Sequence, residues 1–322
     1  MPIFSNCTAS IIKDAALALK KGHLVAFPTE TVYGLGADAT NEKAVERIYE
    51  VKGRPTDHPL IVHISSMENL DKWARDIPEY AIKLARAFWP GPMTLILPRT
   101  QLAKDFISGG QETVAIRVPS HTLANQLLKE FESTGGYGVA APSANRFGKV
   151  SPTNSQAVEE ELGNFLLESD QILDGGQSQI GIESTIIDCT SKAPMILRPG
   201  AITIEMIKKV IDETVEDSLN RSRIHKIKAP GLLESHYAPR ATVILNRSPK
   251  NGDGFIALSS MITPDGVIRL LAPKSSEEFA QQLYDGFRKA DAIGLKRIIV
   301  LLPPSEGIGI AIIDRLKKAS TI

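Results

Sequence analysis

Apolar positions along the first two thirds of the chain repeat with two different periods. Ala9 to Lys20 carries Ile11, Ile12, Ala15 and Leu19 at helical spacing, and Glu42 to Val51 repeats that spacing behind Asn41, a residue suited to capping a helix start. Further helices are predicted over Tyr80 to Phe88, halted by Trp89-Pro90-Gly91-Pro92, and over Leu123 to Phe131, Ser155 to Leu162 and Ile204 to Ile211. Between them lie short apolar runs with strand character: His23–Phe27, Leu60–Ile64, Thr94–Leu97, Val114–Val118, Val139–Ala141, Leu173 and Ser184–Asp188. The strands outnumber the helices and do not alternate strictly with them. This pattern predicts an α/β domain with a mixed, curved sheet rather than a regular doubly wound one.

From Asp212 to about Arg240 the periodicity stops. Acidic residues give way to Arg221, Arg223, Lys226 and Lys228 and then to Ala229-Pro230-Gly231, the composition of a connection running over a surface. Beyond it Thr242–Leu245, Phe255–Ser259, Val267–Leu271 and Arg297–Leu302 read as strands, with helices over Glu277 to Asp291 and Glu306 to Ala319. That is a smaller α/β unit of parallel-sheet character. The expected division is residues 1–211, a connection or lid at 212–240, and a second domain at 241–322.

Charge narrows the functional classes. Lys+Arg and Asp+Glu both number 37 among 322 residues, which argues against a protein whose main task is coating nucleic acid or a membrane surface, while leaving room for a local basic pocket. Cys7 and Cys189 lack metal-ligand spacing and are too few for a disulfide framework, so both read as reduced thiols. The start, MPIFSNCTAS, has neither a basic cluster nor an apolar run of a targeting signal, and the apolar stretch around Ile298 to Leu302 is far short of the roughly 20 residues that span a bilayer. A cytoplasmic protein with no membrane partner is expected.

Four segments join turn-forming residues to polar side chains beside a strand, where open α/β sheets place ligands. Gly34-Leu35-Gly36-Ala37-Asp38-Ala39 loosely fits a dinucleotide fingerprint, but six residues including Pro28 separate it from the strand. Glycines in a turn before a helix are the simpler expectation. The hydroxyls of Thr29, Thr31 and Tyr33 remain candidates for a small polar ligand. Lys52-Gly53-Arg54-Pro55, followed by His58 and His63, puts two cations on one stiff loop, suited either to phosphate or to a solvated helix end. Arg117 interrupts the apolar run Thr113 to Val118 and must either pair with a sheet neighbour or face a ligand. Ala140 to Thr153 combines small residues with Ser143, Asn145 and Ser151, and Glu183-Ser184-Thr185 and Leu197-Arg198-Pro199-Gly200 add further polar groups. G-x-x-x-x-G-K-[ST], H-E-x-x-H and G-x-S-x-G are all absent, which disfavours a P-loop kinase, a zincin and an α/β-hydrolase. The residues alone suit a pocket for a nucleotide plus a small polar molecule.

These segments, in this order, resemble the YrdC-like family, specifically its two-domain L-threonylcarbamoyladenylate synthases. The resemblance rests on Pro28-Thr-Glu-Thr-Val-Tyr-Gly-Leu-Gly36, Lys52-Gly-Arg-Pro55, Pro59-Leu-Ile-Val-His63, Gly91-Pro-Met-Thr94 and Ala115-Ile-Arg-Val-Pro119. It continues through Ala141-Pro-Ser-Ala-Asn145, Val150-Ser-Pro-Thr153, Ile182-Glu-Ser-Thr-Ile-Ile-Asp188, Leu197-Arg-Pro-Gly200 and Ser235-His-Tyr-Ala-Pro239. Leu232-Leu-Glu-Ser235 departs from the basic and aromatic stretch of many relatives.

The resemblance implies a twisted mixed sheet with a concave basic face, a smaller Rossmann-like second domain, and a nucleotidyltransferase reaction. L-threonine, bicarbonate and ATP would give threonylcarbamoyl-AMP and pyrophosphate, the first step toward threonylcarbamoylation of adenosine 37 in tRNAs reading codons that start with A. By position, Thr31, His63, Arg117, Ala141 and Ser184 would hold threonine. Lys52, Arg54, His58, Thr113, Ser143, Asn145, Ser151, Arg198 and Tyr237 would hold the nucleotide, with Lys52 and Arg54 catalytic. Magnesium would come with ATP rather than sit in a dedicated metal site, and the downstream partner would be a tRNA threonylcarbamoyl-transfer machinery. An alternative is a double-stranded RNA or tRNA binder using the same face, with weak RNA contact. A hydrogenase-maturing carbamoyltransferase also carries such a module, but its zinc fingers need more than two cysteines.

Overall fold

The computed structural model describes residues 3–5, 7–212, 214–217, 229–231 and 237–320. The expected surface cations Arg221, Arg223, Lys226 and Lys228, and the segment Leu232 to His236, lie outside the described residues.

The apolar runs of the first domain form strands β1 (Ile3–Phe4), β2 (Val25–Phe27), β3 (Gly34–Asp38), β4 (Ile61–His63), β5 (Met93–Pro98), β6 (Thr113–Arg117), β7 (Val139–Ala140), β8 (Gln171–Leu173), β9 (Thr185–Asp188), β10 (Met195–Arg198) and β11 (Glu216–Asp217). They hydrogen-bond into one sheet in the order β1-β8-β2-β3-β7-β4-β6-β5-β9-β10-β11. The sheet is mixed as expected: β4 and β6 run parallel, for example, while β5 and β6 run antiparallel. Helix Glu42–Lys52 starts where Asn41 predicts, the Asn41 side chain accepting from the Ala44 amide at 3.2 Å.

Two expectations are corrected. Gly34 to Asp38 is not a turn leading into a helix but strand β3, paired antiparallel with β2. Its glycines serve packing: a Cβ on Gly36 would come within 2.8 Å of the Phe27 ring and the Val139 side chain. The start of the 212–240 connection is also not wholly outside the sheet, since β11 pairs parallel with β10.

The second domain contains β12 (Thr242–Leu245), β13 (Gly254–Ile256), β14 (Ile268–Leu271) and β15 (Arg297–Val300), all parallel in the order β12-β15-β13-β14. Helices Ser276–Ala292 and Gly309–Ser320 pack against it. Its apolar core does not stop at the domain boundary. Val32, Val150 and Ile182 of the first domain belong to the same buried cluster as Phe279, Leu283, Ile312 and Leu316. Gly181, with φ +81°, lets the chain pass directly against the backbone of helix Ser276–Ala292 at Ala280 and Gln281, where a Cβ would collide.

Strand alternation sets the position of the site. Val62, Val114 and Ile116 point into the main core, so Ile61, His63, Ala115 and Arg117 share the opposite face.

Candidate functional site

That opposite face carries a cavity whose wall is completed by the loop after β2, the residues after β7, and the facing ends of β9 and β10. Thr31, His63, Arg117, Ala141 and Ser184 all line it, as do Arg54, Ser143, Arg198 and Tyr237. Lys52, His58, Thr113, Asn145 and Ser151 do not line it.

Arg117 is paired, though with a residue of the loop after β2 rather than with a sheet neighbour, and it also lines the cavity. Its Nη2 lies 2.6 Å from Glu30 Oε1 in a buried ion pair, its Nη1 donates to Thr31 Oγ1 at 2.9 Å, and its Nε donates to the Gly91 carbonyl at 3.3 Å. Three of its five N–H groups are thereby used, and the group still faces the cavity. A directed chain of hydroxyls follows. Thr29 Oγ1 donates to the Val32 carbonyl at 2.6 Å, so Thr31 Oγ1, 2.8 Å away, donates to Thr29 while accepting from Arg117. His63 is buried beside this pair, with Nδ1 3.3 Å from the Ile61 carbonyl. Burial first and the Arg117 charge second push its pKa down to about 3, so the imidazole is neutral at physiological pH.

Across the cavity Ser184 Oγ lies 2.7 Å from Thr94 Oγ1 and accepts from Arg198 Nη2 at 3.1 Å. Arg198 also donates from Nε to the Ser184 carbonyl and from Nη1 to the Pro230 carbonyl. Lys318 Nζ donates to the Gly231 carbonyl at 2.8 Å, so two cations hold the 229–231 segment over the cavity. Tyr237 is buried at its wall with φ 64°, its ring stacked 5.9 Å from that of Tyr284 and 5.3 Å from the Arg315 guanidinium carbon. Burial, with Glu183 nearby, raises the Tyr237 phenol to about 12.

The Lys52-Gly53-Arg54 loop divides its labour. Gly53 takes the left-handed conformation that ends the helix (φ 61°), and Lys52 lies on the helix's buried face. The Lys52 ammonium donates to the carbonyls of Ser143 and Asn145, and burial followed by the neighbouring Arg54 charge holds its pKa well below the usual lysine value. Arg54 faces the cavity. Its Nη2 donates to the Pro59 carbonyl at 2.9 Å, its Nε is buried without a hydrogen-bond partner among the described residues, and burial lowers its pKa to about 10. The Asn145 side-chain NH2 is occupied locally, donating to the Arg146 and Lys149 carbonyls, while its Oδ1 is buried without a hydrogen-bond partner among the described residues. His58 packs edge-on against Phe147 with ring centroids 5.4 Å apart, and Thr113 is half-buried at the start of β6 opposite Pro98. Ser151 Oγ donates to Glu183 Oε1 at 2.7 Å.

Glu30, Tyr284 and Arg315 emerge only from the structure, as do the partners of Glu183. Arg315 carries a usable signal: it stands three residues after Ile312 and four before Ala319, on the apolar stripe of the last helix, where an unpaired cation would be costly. Among the described residues no three His, Cys, Asp or Glu side chains gather so as to hold a metal ion.

Residues 17–200 match the Sua5/YciO/YrdC family, described as telomere recombination, and residues 202–321 match the threonylcarbamoyl-AMP synthase C-terminal domain. A protein of Pyrococcus abyssi named threonylcarbamoyl-AMP synthase is 42% identical over 96% of this chain and 94% of its own length. A Bacillus subtilis protein of the same name is 40% identical over 96% and 92%. A crystal structure of P. abyssi Sua5 complexed with L-threonine superposes with a TM-score of 0.88 at 40% identity, covering 99% of this chain and 96% of that one.

Proposed function

The chain belongs to the Sua5/YciO/YrdC family, in the form that carries the threonylcarbamoyl-AMP synthase C-terminal domain, and on that premise we propose that it makes threonylcarbamoyl-AMP. The substrates in this reading are L-threonine, bicarbonate and ATP, and the second product is pyrophosphate. The observation that supports it most is the convergence of Thr31, His63, Arg117, Ala141 and Ser184, from five separate segments, on one cavity shared with Arg54 and Arg198.

The chemistry fits that wall. The threonine amine adds to the carbon of bicarbonate, water leaves, and a carbamate forms. A carbamate oxygen then attacks the α-phosphorus of ATP in line and expels pyrophosphate. Both steps need positioned anions more than a protein nucleophile. Arg117, fixed by Glu30, is placed to take the threonine carboxylate. Thr31 and Ser184 offer hydroxyls, and neutral His63 supplies a polar ring without adding charge. Arg54 and Arg198 face the same space and suit the phosphates. Lys52 and Asn145 act behind the wall, shaping the Ser143–Asn145 loop. Magnesium would arrive with the triphosphate. We read this wall as the concave basic face of the family and the four-stranded parallel unit as Rossmann-like, with domains at 1–211 and 241–322.

The double-stranded RNA alternative needs cations presented outward, whereas Arg54, Arg117 and Arg198 are buried. Among the described residues no helix is long and apolar enough to cross a membrane. A cytoplasmic enzyme feeding a tRNA-modifying transferase completes the reading. Mass spectrometry of the product is the decisive experiment. The threonylcarbamoyl-AMP mass should form only when ATP, threonine and bicarbonate are all present. Threonine-independent ATP breakdown, or no product, would overturn the assignment.

A further inference from the structure

Glu183 immediately precedes Ser184, yet its carboxylate is held largely from the second domain. Arg315 Nε lies 2.7 Å from Glu183 Oε2, and the Tyr284 hydroxyl donates to the same carboxylate, 3.2 Å from Oε1 and 3.1 Å from Oε2. The remaining contact on Oε1 is Ser151 Oγ. Arg315 also donates from Nη2 to the Pro199 carbonyl at 3.0 Å, beside Arg198. One fully buried guanidinium from helix Gly309–Ser320 thus ties together the two backbone segments, 183–184 and 198–199, that carry Ser184 and Arg198. These segments pass so closely that a Cβ on Gly200 would collide with the Thr185 amide. Asp314 shares the load by pairing with both Arg315 and Lys318.

We propose that Arg315 and Tyr284 of the second domain are positioning residues for the reaction in the first, acting through Glu183 to fix the Ser151 hydroxyl, Ser184 and the Arg198 guanidinium. The inference rests on the synthase reading and assigns the second domain a part in it. Neither residue lines the cavity. Their effect must therefore pass through the groups they hold, and it should fall on substrate constants more than on folding. A buried carboxylate that loses one of its charged or hydroxyl partners can turn toward the next cation, here Arg198. The groups facing Glu183 are Arg315, Arg198, Tyr284, Tyr237 and Ser151. Burial favours protonation of Glu183, and Arg315 followed by Arg198 outweighs it, bringing its pKa down to about 2. Without Arg315 the balance shifts toward the protonated acid.

The test uses the full-length protein and three variants. Tyr284→Phe keeps the ring stack on Tyr237 and removes only the hydroxyl. Arg315→Lys keeps the charge and loses the fork that reaches Glu183, Asp314 and Pro199 together. Arg315→Gln removes the charge. With a melting curve close to wild type, Tyr284→Phe should raise the KM for ATP about fivefold to tenfold, and Arg315→Lys should do at least as much. Arg315→Gln should also show a ratio of kcat/KM to wild type that falls as the pH is lowered, a trend that Arg315→Lys lacks. Wild-type constants in Tyr284→Phe and Arg315→Lys would overturn the proposal. So would activity losses that simply follow the folded fraction with no pH trend. If the wild-type protein itself makes no threonylcarbamoyl-AMP, the synthase reading fails, and that result is separate from the variant comparison.

Discussion

The Lys52 ammonium lies 2.6 Å from the carbonyl oxygen of Ser143, and the same nitrogen also reaches the Asn145 carbonyl. A cation that the sequence suits either to phosphate or to a helix end, and that the resemblance gives to the nucleotide, thus clasps the 143–145 segment, while its neighbour Arg54 turns into the cavity. The two residues should separate experimentally. Lys52→Met leaves one buried and one partly buried carbonyl without their donor and should cost about 2 kcal/mol of stability along with activity. Arg54→Ala should cut ATP-dependent turnover by at least a hundredfold with little change in unfolding midpoint. Urea unfolding alongside pyrophosphate release checks both. Equal stability losses in the two variants would contradict the division of labour.

His63 makes stability depend on pH. Its folded pKa of about 3 lies below the unfolded value near 6.5. Between these values the unfolded chain holds a proton that the folded chain excludes, so stability is full above pH 6.5 and falls as pH drops. From pH 6.5 to 5.0 this one residue should remove about 1.6 kcal/mol. In His63→Gln the difference between unfolding free energies at those two pH values should shrink by that amount. An unchanged difference would show that the ring is protonated in the folded protein.

Threonine should be preferred over valine by a factor on the order of 100 or more in kcat/KM, since a site built around a substrate hydroxyl leaves its own polar groups unpaired when that hydroxyl is missing. Ser184→Ala removes an oxygen that also meets Thr94 and Arg198 and should narrow the gap. Competition assays with both amino acids read this directly, and comparable adenylate formation from valine would refute it.

Gly231 has φ +79°, and a Cβ there would collide with the Tyr237 hydroxyl and approach Arg198 Nη1 to 3.2 Å. Gly231→Ala should therefore displace the covering segment, lowering product yield relative to ATP consumed because the carbamate and the mixed anhydride are exposed to water. The melting temperature should move little. Full yield in this variant would reduce the segment to a tether.

Much of the first domain is legible because its signals are local. The Asn41 cap, the glycine and prolines around Arg54, and an arginine inside an apolar strand each report on their own surroundings. Strand β3 was hidden because Gly34 and Gly36 read as turn residues, although Gly36 is small to admit Phe27 and Val139. Position alone also could not separate groups that line the cavity, such as Arg54 and Ser143, from those behind it, such as Lys52 and Asn145. The Glu183–Arg315 pair spans 132 residues and two domains. No periodicity couples such distant positions, so only an arginine on the apolar side of the last helix hinted at a partner.

Val32, Val150 and Ile182 sit in the second domain's apolar cluster, and this has a consequence for how the molecule comes apart. Neither sheet can lose its tertiary packing without exposing apolar surface that belongs to the other, so heating should produce a single calorimetric transition rather than two. A protease nick in the connection would break the covalent path and leave this shared surface intact. The two fragments should then migrate together through a sizing column until denaturant separates them.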